Sequence, residues 1–231
     1  MSDMILVLRG AIDNFLYYRV ELLRVLLIPF AILLVFELEV LPNTNDRALL
    51  RTVTFLYITV YAFALLSVFR ILIIGPQAVP KWGVYKVSKS TVYFVLYIVC
   101  LFIVLYAISY FLYSFLPMPV NWLLFFIIKV SLLARISLVF PAITVGSYFS
   151  FNSSWRRTKN HQVLMLLVAC AVVVLRELSK FMSSQFFLQS ILFKLVIEIT
   201  FWAFILALLS EAFKIIEMQN RGRLSHTQTR L

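Results

Sequence analysis

Residues 135–160, RISLVFPAITVGSYFSFNSSWRRTKN, decide how this chain is read. The stretch begins with one Arg inside an apolar helix and passes Pro141. It leaves the apolar phase at Gly146 and ends in a Ser-Ser-Trp-Arg-Arg turn. An apolar helix that closes on an aromatic residue and a basic pair is how a membrane span meets its interface. Outward from this stretch, apolar helical segments fill almost all of the 231 residues.

The composition agrees. Hydrophobic residues make up 63% of the chain and charged residues 13%, where a soluble domain carries about 25% charged. So little charge leaves no water-facing surface, and the bilayer becomes the solvent. No cleavable leader is expected, because no apolar core followed by a small-residue cleavage site opens the chain. The two cysteines, Cys100 and Cys170, lie inside apolar runs and imply no disulfide framework.

The spacing predicts an all-α polytopic bundle with six transmembrane helices. Residues 1–21 form an interfacial amphipathic segment: Met4, Ile5, Leu8, Ile12, Phe15 and Leu16 alternate with Asp3, Arg9, Asp13 and Asn14. Residues 22–216 carry spans at about Leu22–Leu41, Thr52–Ile74, Thr91–Leu116, Asn121–Val145, Val163–Lys180 and Phe187–Phe213. Pro29 falls inside the first span, and Gly75-Pro76 and Pro80 stop the second. The fifth is short: its uninterrupted run, Val163–Leu175, rises only about 20 Å against a core of roughly 30 Å. Arg176 and Glu177 are therefore expected to ride into the membrane zone on a helix reaching Lys180. Residues 217–231 form a polar tail.

The loops orient the bundle. Arg9, Arg19 and Arg24, then Lys81, Lys86 and Lys89, then Arg156, Arg157 and Lys159, and finally Lys214, Arg221, Arg223 and Arg230 fall on one side. Only Arg47, Arg51 and Lys180 fall on the other. The positive-inside rule places both termini in the cytoplasm. The net charge of +11, 21 Lys and Arg against 10 Asp and Glu, reports orientation and attraction to anionic phospholipid rather than nucleic acid.

Four local features resemble a known group. They are Arg70-Ile-Leu-Ile-Ile-Gly75 before Pro80, Arg135-Ile-Ser-Leu-Val-Phe-Pro141-Ala142, Ser154-Trp155-Arg-Arg-Thr158, and a sixth span closing in Leu-Ser-Glu-Ala-Phe-Lys. Together, over about Arg70 to Met218, they resemble small bacterial inner-membrane proteins of the YciC type. That group is itself similar to the membrane domain of some glycerophosphodiester phosphodiesterases. The resemblance implies a six-helix bundle in a bacterial cytoplasmic membrane and supplies no activity. Lys159-Asn160 stands where a Gly commonly follows S-W-x-x-T.

Chemistry is sparse. His161 and His226 are the only histidines, and both fall in the expected cytoplasmic segments. Haem, zinc and iron sites therefore have no ligands at membrane depth, and no metal or other cofactor is expected. No H-E-x-x-H, G-x-S-x-G or P-loop pattern appears. The 22 Phe and 11 Tyr read as lipid-facing and packing surface rather than a quinone or pigment box.

The unusual groups are the intramembrane charges Lys129, Arg135, Arg176, Glu177, Lys194 and Glu198. Each costs about 2.5–3.5 kcal/mol at the bilayer centre, so such residues face protein or a water-filled cavity. One reading is a basic pocket for an anionic ligand such as a lipid phosphate, built from Lys129, Arg135, Arg176, Lys194 and Glu198. The other is snorkelling and ion pairing between helices. An ion pair between Arg135 and Glu198 is expected if the fourth and sixth spans are neighbours, with Arg176 or Lys129 as the fallback partner of Glu198. Trp155, Arg156 and Arg157 form either a lipid-headgroup grip or a plain interface anchor, with Ser153 and Ser154 capping the following helix.

Three function classes follow. The chain is a non-enzymatic subunit, assembly factor or scaffold working with other membrane subunits, a binder or transporter of a lipid or other small anion, or an enzyme acting on lipid. Missing catalytic groups disfavour the last. Small soluble parts favour the first.

Overall fold

The protein, seen in a computed structural model, is described over residues 2–35, 47–80, 88–118, 120–146, 151–185 and 191–228. Nine α-helices, and no strand among the described residues, make it all-α. They are α1 (Ser2–Tyr17), α2 (Arg19–Val35), α3 (Arg47–Ile73), α4 (Lys89–Phe115), α5 (Val120–Ile136), α6 (Val139–Thr144), α7 (Phe151–Thr158), α8 (Gln162–Gln185) and α9 (Ile191–Gln228). Among the described residues, four stretches are long and apolar enough to cross a membrane: Lys89–Phe115, Val120–Thr144, Phe151–Ser179 and Val196–Asn220. Ile58–Ile73 is a shorter apolar helix. The far end of the expected first span, the polar loop after it, and the loop bearing Lys81 and Lys86 lie outside the described residues.

Local chemistry sets the helix ends. Ser88 caps α4 by accepting the Thr91 N–H at 3.3 Å, which satisfies one of the free donors of the first turn. Leu116 ends the same helix in extended geometry, as a residue before proline must. Pro29 sits within a continuous α2. Between α1 and α2 only Tyr18 departs from helix. Its N–H still donates to the Asn14 carbonyl at 3.0 Å, and its carbonyl accepts the Leu22 N–H at 2.9 Å.

The expected fourth span is not one helix. It breaks at Ser137-Leu138, and Pro141 is the reason: it has no N–H and its ring crowds the carbonyl four residues back. Pro141 is tolerated in the first turn of a new helix, α6, whose six residues are all buried. Gly146, at φ +76°, then ends α6 in a conformation that other residues adopt only at a cost.

The Ser-Ser-Trp-Arg-Arg segment is also a correction. It forms α7 rather than a turn, and Ser154 lies inside that helix. Its hydroxyl donates 2.6 Å to the Arg135 carbonyl, bracing α7 on α5 instead of capping. Nothing between Phe151 and Gln162 is a helix breaker, so only this tertiary contact could reveal the packing.

The core is built around α9. Half of its apolar window is buried, against 17% of α4's, so α9 is central and α4 peripheral. α9 packs on α8, α1, α3, α2 and α6, while α5 packs on α8. α8 therefore packs against both α5 and α9. α8 runs through Arg176 and Glu177 to Gln185, and α9 continues into the polar tail as far as Gln228.

α1 is two-faced: Val7 and Ala11 are fully buried, whereas Arg9 and Asp13 are exposed and paired at 3.9 Å. It meets α9 at Glu211, where Asn14 Nδ2 and Lys214 Nζ each donate to Oε1 at 2.7 Å.

Candidate functional site: a cavity beneath Arg176

α5 and α8 place oppositely charged groups at one level. Lys129 on α5 reaches Glu177 on α8, Nζ to Oε1, at 3.5 Å. One residue earlier on α8, the Arg176 guanidinium lies over the Trp202 ring of α9, 4.7 Å from its centroid. Trp202 in turn meets Tyr61 of α3 edge-on, centroids 5.3 Å apart. Four helices thus contribute to one polar layer. Arg176 has no carboxylate against it among the described residues, and its positive charge is stabilised by the negative face of the indole.

Beneath this layer lies a cavity of about 360 Å³, within the range of small-molecule sites. Its walls are apolar, including Leu65, Ile98, Leu101, Leu133, Val173 and Leu206. Its floor is an aromatic stack. Phe94 packs edge-on against Phe69 at 6.2 Å and against Phe140 at 5.6 Å. Ser137 also lines it, with its hydroxyl oxygen buried and without a hydrogen-bond partner. Phe102 and Tyr106 line the cavity and are exposed on α4, so its mouth opens beside that helix. The arrangement offers cations at one end and a largely apolar bore below.

The expected single basic pocket divides in two. Lys129 and Arg176 line the cavity; Arg135 does not. Lys129 and Arg135 are six residues apart on α5, which leaves them about 120° apart around the helix and about 9 Å apart along it. Arg135 stacks on Trp155 of α7 at 5.1 Å, and its Nη1 is buried without a hydrogen-bond partner. The expected ion pair between Arg135 and Glu198 is therefore not formed. Glu198 sits on α9 one turn before Trp202. Of the two fallback partners expected for Glu198, Arg176 lies over Trp202 and Lys129 also pairs with Glu177. The side chain of Lys194 lies outside the described residues.

Of the interface trio, Trp155 and Arg156 are exposed, and Arg157 is ion-paired with Glu217 of α9.

Sequence reasoning missed Trp202, Tyr61 and the three phenylalanines. Trp202, four residues after Glu198, was the findable one, since that spacing puts both on one face of α9. The Phe floor draws on α3, α4 and α6, and no local pattern announces it. Comparison with family models, curated proteins and solved structures finds no match.

Proposed function

We propose that this is a six-span protein of a bacterial cytoplasmic membrane, with both termini cytoplasmic, that holds an anionic amphiphile in the cavity beneath Arg176. The carrying observation is the Arg176 guanidinium, stacked on Trp202 with no carboxylate beside it among the described residues, at the polar end of an apolar bore. A carboxylate or phosphate meets that guanidinium with two parallel hydrogen bonds. The attached acyl chain follows the bore toward the Phe94 floor.

The loop charges support this orientation, and α1 enters it as the amphipathic segment of the cytoplasmic interface. Arg176 lies 14 residues into α8, about 21 Å from its start, which puts the head of the amphiphile in the outer half of the bilayer.

Single-cysteine labelling tests the orientation. Reagents confined to the outside react at Asn43→Cys and Ser183→Cys, and those confined to the cytoplasm at Lys86→Cys and Lys159→Cys. Outside labelling at Lys86 overturns it.

Native mass spectrometry of protein released gently from membranes tests the cavity. The parent retains an adduct of fatty-acid or phospholipid mass, and its mass tells the two apart. Arg176→Gln lowers its occupancy about tenfold, in line with a lost charge-assisted bond. Equal occupancy in parent and variant sinks the proposal.

A second reading, the membrane-complex subunit or assembly factor, draws on the outward apolar stripe of α1, where Ile5, Leu6, Ile12 and Leu16 are all exposed. A stoichiometric protein partner in the same spectrum, with no lipid adduct, favours that reading.

A further inference from the structure

We propose a second anion site on the opposite face of α5: a groove between α5, α7 and α8 that takes the phosphate of an anionic glycerophospholipid on Arg135. The groove has a volume of about 460 Å³. Arg135 and Trp155 line its head end, with Thr158, and Ile127, Leu132 and Leu166 line its apolar length.

Three observations converge on Arg135. Its Nη1 is buried and donates to no acceptor, an expensive state for a charged donor in low dielectric. The Trp155 ring covers one face of the guanidinium at 5.1 Å. The Arg135 carbonyl accepts the Ser154 hydroxyl at 2.6 Å, which holds α7 against α5 at this point. The cation is therefore fixed in place, and its charge is compensated by no carboxylate among the described residues. A planar guanidinium beside a groove suits a tetrahedral phosphate oxyanion.

The rest of the groove selects the occupant. Ile127, Leu166 and Trp155 line it and are 51%, 44% and 52% exposed, so it opens along the perimeter of the bundle, where acyl chains run. Trp155 is the residue type that settles at headgroup level. Charge at one end and an exposed apolar wall below match one molecule that has both, an anionic phospholipid. The site rests on residues other than those of the Arg176 cavity. With the proposed orientation the site falls in the inner leaflet, and nothing else in it depends on that orientation.

The test uses the full chain in detergent, titrated with dimyristoyl phosphatidylglycerol and read by native mass spectrometry. Arg135→Gln is expected to weaken one lipid-binding event about tenfold or more, with Arg135→Lys keeping part of it. Leu166→Trp fills the groove from an exposed position, leaves Arg135 in place, and is expected to give the same loss with unchanged helix content. Should Arg135→Gln fail to accumulate as folded protein, Leu166→Trp decides the matter. Arg176→Gln, run in parallel, removes cavity binding and leaves this event intact, so the two sites fail separately. Unchanged phosphatidylglycerol binding in Leu166→Trp overturns the site. Displacement by excess inorganic phosphate assigns the cation to a free anion and overturns the lipid, as does equal binding of phosphatidylcholine, which carries no net charge.

Discussion

Phe94→Ala is expected to destabilise the folded protein by about 3 kcal/mol, the low end of the range for a buried Phe truncated to Ala. Phe94 is completely buried. It holds the middle of the floor, with Phe69 edge-on at 6.2 Å and Phe140 edge-on at 5.6 Å. The low end applies because lipid tails are as apolar as a side chain, so little transfer energy is at stake between them. What remains is packing: the ring's dispersion contacts with α3 and α6 vanish, and the hole is not refilled. For a chain of this size that corresponds to a fall of roughly 6–12 °C in Tm, measurable by thermal unfolding in detergent. Phe94→Leu should lose less, since it keeps most of the volume. Because the stack is also the floor of the cavity, the alanine variant should also lose the amphiphile proposed to bind there. A Tm within about 2 °C of the parent would show that the floor is not packed as described.

Gly10→Leu is the second large effect, and it acts by exclusion. A Cβ at Gly10 would lie 2.7 Å from Glu211 Oε2, closer than real Cβ atoms come to a neighbour. Glu211 cannot simply swing aside, because its other oxygen accepts from Asn14 and from Lys214, both at 2.7 Å. Either those charge-assisted bonds break or α1 lifts away from α9, and Val7 and Ala11, both fully buried beside Gly10, lift with it. The expected cost is about 2 kcal/mol. Hydrogen exchange of the α1 amides should then quicken roughly 30-fold. The double variant Gly10→Leu with Glu211→Ala makes room again and should recover part of the protection. If α1 in Gly10→Leu stays as protected as in the parent, the contact with Glu211 does not hold it.

The sequence by itself determined the helical class of the molecule and roughly where its long apolar helices lie. The apolar run read as a span over about Thr91–Leu116 forms the helix Lys89–Phe115, because that signal is local. Val120–Thr144 was legible as a stretch but not as two helices, although Pro141 was in plain view. A proline can kink a helix or start one, and the buried seat of α6 decides between them. The charges were legible as exceptional and not as a site. Lys129, Arg135, Arg176 and Glu198 could be named from the cost of burying them. Which ones meet depends on helix neighbours, and Arg135 meets Trp155 of α7 instead of Glu198. The sixfold spacing of Lys129 and Arg135 already put them on different faces, a clue the sequence did contain. Trp202 beneath Arg176, the Phe69–Phe94–Phe140 floor and the Ser154 brace on Arg135 belong to tertiary structure alone. Periodicity reports which way a side chain points from its own helix, whereas a cavity is defined by what other helices bring to the same depth.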